Sequence, residues 1–169
     1  MIFVARNALM AVLVALVLGS GLALAGDPVF APDAILGIWE TEHKDGKWSR
    51  IEIFELDGAV HGQIVWLKNP LYDVGEVTGL DGSPRVDLNN PREDLQSRPL
   101  LGLTIMSDFV HNGASKWEDG SIYDPNNGKT YRCKATLKDA DTLEIFGYVK
   151  VGFVNIGRNA TWARVTDQD

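Results

Sequence analysis

The chain contains one cysteine, Cys133, and this scarcity limits what can hold its fold together. A lone cysteine cannot form an intramolecular disulfide, so the fold must depend on its hydrophobic core. Cys133 lies in the run 130–137, where polar and apolar residues alternate, and it falls on the apolar side. We therefore predict a buried and unreactive thiol.

Positive charge is also in short supply. The chain has 16 basic and 23 acidic residues, a formal net charge of −7. Nucleic acids and anionic membrane surfaces are bound through a basic footprint. The composition therefore predicts no nucleic-acid partner and no attraction to anionic lipid.

Recognisable catalytic motifs are missing as well. His43, His61 and His111 are widely separated and lack metal-ligand spacing. No phosphate-binding loop, dinucleotide fingerprint or Gly-x-Ser-x-Gly elbow occurs. We predict no metal and no cofactor. An enzyme remains the alternative, with acid–base residues converging from separate strands; its candidates are Asp124, Lys129, Arg158 and Arg164.

The first residues have the features of a cleavable signal peptide. Arg6 precedes an apolar run of 11 residues, 8–18, and the small-x-small tripeptide 23–25 follows. A membrane-spanning helix needs about 20 apolar residues, so a retained anchor is disfavoured. We expect residues 1–25 to be removed, leaving 26–169 as one domain without stable membrane insertion. Removal takes one base and no acid, so the net charge becomes −8.

Period-two alternation dominates the remaining sequence, and turn residues such as Asp-Gly and Asn-Gly separate the alternating runs. About eight short strands joined mainly by tight turns favour an all-β, antiparallel up-and-down barrel, because closure removes exposed edges. The predicted strands are 37–42, 48–55, 60–67, 101–108, 121–124, 130–137, 142–150 and 160–165.

The segment 68–99 interrupts this rhythm, with four prolines and no strand-like run. Loops of this length are uncommon and often functional. Asn90 as a cap and Pro91 at the first helical position predict a short helical turn to about Gln96. The segment could be a plug that closes one barrel end or a functional lid.

A series of motifs spread over residues 37–165 carries a family resemblance. Its signature residues are Gly37, Trp39, Asn90, Pro91, Arg98, Pro99, Tyr123, Asp124, Pro125, Gly128, Trp162 and Arg164. The pattern resembles a bacterial family of exported proteins known only as domain of unknown function 2147 (DUF2147). The chain departs from it mainly in the insertion 70–87 and at 159–161. The resemblance implies a periplasmic location, with secretion to the medium as the alternative, and it implies no particular activity.

Two of these residues also resemble the signature of lipocalin-like barrels. Those barrels begin with Gly-x-Trp on the first strand, as at Gly37 and Trp39, and an arginine from the last strand packs on the tryptophan. Arg164 stands at the corresponding end of this chain. The resemblance implies a cation–π contact that closes one end of the barrel.

The predicted barrel interior combines small residues in mid-strand with aromatic residues towards the strand ends. Such a lining can leave a cavity for one small ligand, unless large residues from other strands fill it. The candidate ligand-binding residues are Trp66, Tyr131, Cys133, Ala135, Ile145 and Gly147. We therefore expect a protein that binds a small apolar or amphipathic ligand, or an envelope protein. A structural or interaction module of the cell envelope is a further alternative.

Overall fold

A computed structural model describes residues 28–42, 46 and 48–166. The predicted signal peptide, 1–25, lies outside the described residues. These described residues form eight strands and two short 3-10 helices, η1 (Pro32–Ile35) and η2 (Glu93–Leu95). The strands are β1 (Gly37–Glu42), β2 (Trp48–Leu56), β3 (Ala59–Leu67), β4 (Thr104–His111), β5 (Lys116–Asp124), β6 (Lys129–Asp139), β7 (Thr142–Val151) and β8 (Val154–Arg164).

The strands form a closed antiparallel barrel in which each strand pairs with the next along the chain. Closure between β1 and β8 occurs at two register pairs, Trp39 with Arg164 and Glu40 with Ala163. The predicted all-β, up-and-down barrel of about eight strands is confirmed. No helix in the described ranges is long and apolar enough to cross a membrane.

Three predicted strands differ from the observed ones by three residues or more at one end. The strand predicted at 101–108 begins at Thr104 and continues to His111. The strand predicted at 121–124 begins at Lys116, because Asp119, with φ of 60°, forms a bulge where the sequence resembles a turn.

The last strand, predicted at 160–165, extends from Val154 to Arg164. Its first half is polar and rich in turn residues, so the sequence pattern did not predict a strand there. Unbroken pairing with β7, from Thr142–Ala163 to Val151–Val154, holds these residues extended. Here the partner strand overrides local preference.

One end of the barrel is closed by η1 and two tryptophans. The Trp39 indole N–H donates to the Ile35 carbonyl (2.8 Å), and the Trp117 indole N–H donates to the Pro32 carbonyl (3.2 Å). The guanidinium carbon of Arg164 lies 4.2 Å from the Trp39 ring centroid. Its two Nη atoms donate to the Leu36 and Ala34 carbonyls. The lipocalin-like closing contact is therefore present.

Large side chains fill the barrel next to this end. Trp39, Trp117 and Phe109 have no exposed surface. A Cβ placed on Gly120 would lie 2.4 Å from the Phe109 ring, so the ring occupies the space that the glycine leaves. We call this part of the barrel, around Trp39, Phe109 and Trp117, the closed half.

The long connection between β3 and β4 packs against the barrel in two places. Near its end, Leu103 is 4% exposed and joins the core. Its middle part, 87–98, lies on the outer face of the barrel, where Tyr123 donates a hydrogen bond to Asp87. This part is thus neither a plug in the barrel nor a lid over its interior.

The helical turn predicted from Pro91 to about Gln96 is present but shorter, as η2 (Glu93–Leu95). The predicted cap was wrong: Arg92 is at the cap position, and Asn90 and Pro91 lie before it. The Asn90 side-chain oxygen accepts a hydrogen bond from the Arg92 backbone N–H (2.9 Å). Asn90 therefore fixes the entry to the turn, as an Asx residue does.

Candidate functional site

The inner face of the barrel is accessible to solvent at the end opposite η1. Register pairs join Gly147 to Arg158 and Val149 to Ile156. These residues share a face with Ile145, which is 3% exposed in the core, because alternate residues of a strand face the same side. Val149 is 47% and Ile156 58% exposed. We call this part of the inner face, from Gly147 and Arg158 outward, the open half.

The exposure follows from how β8 is paired. This strand pairs with β7 from Val154 to Ala163 but, among the described residues, with β1 only through Ala163 and Arg164. Over 154–162 the opposite edge of β8 therefore has no partner strand within the part of the chain that the structure describes. The inner face of β7 and β8 is open to solvent on that side.

The open half has a positive charge in an apolar surrounding. Arg158 is exposed and makes no hydrogen bond or ion pair with any residue that the structure describes. Its nearest same-face positions on β7 and β8 are Gly147, Val149, Ile156 and Ala160. A guanidinium has five N–H donors in a planar fork that matches a carboxylate or phosphate.

The residues predicted to line a ligand cavity divide between the two halves. Cys133 and Ala135 are fully buried, and Ile145 is nearly so, within the packed core. Gly147 and Tyr131 are partly exposed and lie at the open half. A Cβ placed on Gly147 would have its nearest neighbour, a methyl carbon of Ile122, at 3.5 Å. Space is thus available at Gly147 and absent around Cys133 and Ala135.

Trp66 does not lie inside the barrel, and the interior position predicted for it is wrong. A bulge at Val65 breaks the alternation, because Ile64 pairs with Ile51 whereas Trp66 pairs with Arg50. The Arg50 guanidinium lies 5.1 Å from the Trp66 ring centroid on the outer face. One extra residue in a strand reverses the face of all residues that follow.

Cys133 is a free, fully buried cysteine, as predicted. Burial raises the pKa of its thiol to about 12. A thiol with such a pKa is protonated at neutral pH, and only the thiolate is a strong nucleophile.

The four residues of the enzyme alternative do not all come together. Asp124 and Lys129 are register partners beside the β5–β6 turn, whereas Arg158 pairs with Gly147 of β7. The Asp124 carboxylate accepts hydrogen bonds from Asn126 and Asn127 in the β5–β6 turn. Arg164 is at the opposite end of the barrel, bonded to backbone carbonyls. Within the described residues, no group of three His, Cys, Asp or Glu side chains is arranged to hold a metal ion.

A buried polar network that the sequence analysis missed anchors the long loop. The Asp87 carboxylate is 0% exposed and accepts hydrogen bonds from the Tyr123 hydroxyl (2.7 Å), Asn90 Nδ2 (2.7 Å) and Arg98 Nη2 (2.8 Å). Burial, followed by the bond to Asp87, raises the pKa of Tyr123 to about 12. Three of these four residues belong to the family signature, and that clustering was the signal available in the sequence.

Comparison with known proteins agrees with this geometry. The profile of a bacterial family, described as an uncharacterized protein conserved in bacteria (DUF2147), matches residues 37–164. Among solved structures, the chain is similar to a Helicobacter pylori protein, HP1028, described as belonging to the lipocalin family. The TM-score is 0.61 with 27% identity, over 79% of this chain and 84% of that one. No curated protein sequence matches significantly.

The family profile spans every strand of the barrel, from Gly37 of β1 to Arg164 of β8. It includes both residues of the closing contact, Trp39 and Arg164, and the whole Asp87 network. The fold of the chain is lipocalin-like, and the chain belongs to the DUF2147 family.

Proposed function

We propose that the protein is exported to the periplasm and binds one small amphipathic ligand at the open half of its barrel. The apolar part of the ligand lies against Val149 and Ile156, and an anionic group pairs with Arg158. The observation that carries this proposal is an accessible apolar inner face that surrounds an arginine with no partner among the described residues.

Simple energetics support an amphipathic ligand over a purely polar one. Covering apolar surface contributes roughly 25 cal/mol per Å², and the two side chains are about half exposed. A single anion satisfies the fork of Arg158 with charge-assisted hydrogen bonds. The net charge of −7 disfavours polyanions, so one anionic group on an apolar chain fits best.

Binding is tested with dodecanoate as the probe, by isothermal titration calorimetry of the purified protein. We expect one site and thermal stabilisation, which amounts to about 2.7 kcal/mol at a hundredfold excess over Kd. Gly147→Leu fills the space at the open half and should abolish binding while the protein stays folded. Arg158→Gln should weaken dodecanoate but leave dodecanol unaffected.

A matched control separates the open half from the outer surface. Val149→Asn should weaken binding, whereas Val110→Asn should not, because Val110 is similarly exposed (51% against 47%) but lies outside on β4. Equal losses in the two variants, or no heat of binding with the wild type, would refute the proposal.

Export is tested separately on the native protein. Fractionation of the cells should recover it in the periplasm, with Gly26 as its N-terminal residue. Recovery of protein that begins at Met1, or that remains in the cytoplasm, would contradict this part of the proposal.

A further inference from the structure

A polar groove lies on the outside of the barrel, between the loop segment 87–98 and strands β4 to β6. Its volume is about 310 Å³, and it is open to solvent. Ser107 pairs with Ser121, and Tyr123 pairs with Thr130. These side chains face outward, because the next pair along the strands, Met106 with Ile122, belongs to the core and its margin. We call this feature the outer groove.

Hydroxyl groups form the floor of the outer groove. Ser107, Ser121 and Thr130 line it, and their hydroxyls make no hydrogen bond with any residue that the structure describes. A hydroxyl can donate one hydrogen bond and accept two. The floor therefore offers several unused donors and acceptors within one small space.

Two guanidinium groups form the opposite wall, and none of the described residues that line the groove has a carboxylate. Arg98 donates a hydrogen bond from Nη2 to the buried Asp87 carboxylate, and the Asp87 backbone N–H donates to the Arg98 carbonyl (2.8 Å). The Arg98 side chain is 40% exposed and lines the groove, and among the described residues its Nη1 has no hydrogen-bond partner. This end of the guanidinium can therefore donate to an acceptor that enters the groove. Arg92 is the second cation, and within the described part of the chain its one ion-pair partner is the exposed Asp94.

The Asp87 network makes the position of Arg98 rigid. Tyr123 and Asn90 both donate to Asp87, so these two side chains are committed to the network. A carboxylate fixed in this way orients the guanidinium before a ligand arrives. Preorganisation lowers the entropy that a ligand must lose on binding.

From these features we propose that the outer groove binds a single sugar unit that has one acidic group. The volume of about 310 Å³, roughly ten waters at about 30 Å³ each, is enough for one monosaccharide and smaller than a disaccharide. The sugar hydroxyls match the floor, and a carboxylate or phosphate matches Arg92 and Arg98. This site is separate from the open half and takes a different class of ligand.

The test is calorimetric titration of the purified protein with glucuronate, glucose 6-phosphate, glucose and inorganic phosphate. We expect one or both acidic sugars to bind at least about tenfold more tightly than glucose or phosphate, since charge-assisted and neutral hydrogen bonds then act together. The preferred acidic sugar identifies a carboxylate or a phosphate as the natural group. Binding of phosphate as tight as that of glucose 6-phosphate would overturn the sugar assignment.

Variants are chosen to leave the Asp87 network intact. Arg92→Gln removes an exposed charge, and Ser121→Leu fills the floor; each should weaken the acidic sugar by about tenfold or more. Lys138→Gln is the charge-matched control, because Lys138 also has an exposed ion pair, with Glu144, and lies outside the groove. Equal weakening by Lys138→Gln, no effect of Ser121→Leu, or no binding of either acidic sugar would overturn the proposal.

One further variant separates this site from the proposed function. Gly147→Leu should abolish dodecanoate binding and leave the acidic sugar unaffected. Loss of both ligands in this variant would contradict the assignment of two separate sites.

Discussion

The closed half and the open half of the barrel are built from the same strands with the same alternation, yet they differ in burial. On β7, Ile145 is 3% exposed, and Val149, four residues further along the same face, is 47% exposed. Both are β-branched aliphatic residues, so composition does not explain the difference. Near Ile145 the barrel is packed and sealed, whereas beyond Ala163 β8 has no described partner on its outer edge. Closure of the sheet therefore decides which inner residues are buried.

The space around the inner-face glycines shows the same difference between the two halves. A Cβ on Gly62 would lie 3.0 Å from the Met106 sulfur, and one on Gly120 2.4 Å from the Phe109 ring. At Gly147 the nearest side-chain atom would be 3.5 Å away, an ordinary contact. In the closed half a glycine makes room for a large neighbour, and in the open half it leaves space.

The largest effect should come from removing the tryptophan that seals the closed half. Trp39→Ala should lower the free energy of unfolding by about 3–5 kcal/mol, because a buried tryptophan leaves a large cavity. Trp66→Ala, at a site 39% exposed on the outer face, should cost well under half as much. Urea denaturation of both variants measures the difference; similar losses would contradict the assignment of these faces.

An added methyl group should lower the stability of the protein in the closed half and hardly change it in the open half. Gly120→Ala should destabilise by about 1–3 kcal/mol, because the Phe109 ring must move in a packed core. Gly147→Ala should change stability by less than about 0.5 kcal/mol. Thermal and urea unfolding of the pair provide the measurement, and a large loss at Gly147 would mean that the open half is as tightly packed as the closed half.

Weakening the Asp87 network, which anchors the long loop, should have an intermediate effect on stability, and this effect should depend on pH. Tyr123→Phe removes a hydrogen bond to a buried carboxylate and should cost about 1–3 kcal/mol at neutral pH. The pKa of Tyr123 is raised from 10.0 to about 12 in the folded protein. The stabilisation that the Tyr123 hydroxyl provides is therefore fully present below about pH 10, and it is lost as the pH rises towards 12.

Comparing unfolding of the wild type and Tyr123→Phe from pH 8 to 12 checks this sign. The stability difference between the two proteins should shrink over the upper part of that range. Both proteins contain Cys133, so its own titration cancels in the comparison. A difference that grows with pH would contradict the assigned bond between Tyr123 and Asp87.

The smallest expected effect concerns the reactivity of the Cys133 thiol, which lies between the two halves. With the Cys133 pKa raised to about 12 by burial, the native protein should not react with a thiol reagent at pH 8. It should react fully once unfolded in urea. Prompt labelling of the native protein would mean that solvent from the open half reaches Cys133.

Pattern reading located most of the strands because alternation along a strand is a local property. The bounds predicted for β1 were correct, and those for β2 and β3 differed by one residue at one end. The predictions from alternation failed where a bulge changed the register. Asp119 and Gly120 resemble a turn but lie within β5, and Val65 turns Trp66 to the outside. A bulge depends on the partner strand, which a single strand's sequence does not contain.

The candidate site was predictable only in part. Gly147 and Tyr131 were assigned to a ligand-accessible interior and do lie at the open half, but Cys133, Ala135 and Ile145 belong to the packed core. The sequence could not distinguish these two groups, because both alternate correctly. Only the positions of Phe109 and Met106, and the short contact between β1 and β8, separate them.

The sequence by itself determined the all-β class, the strand alternation and the lone buried thiol. These follow from local patterning and from residue types with few alternatives. The Trp39–Arg164 contact that closes one end was implied by the resemblance to lipocalin-like barrels. Tertiary structure alone decided which inner positions are filled, where Trp66 points, and that Asp87, Asn90, Arg98 and Tyr123 meet on the outside of the barrel. Each of these depends on contacts between segments far apart in the chain, and such contacts are fixed only when the whole barrel closes.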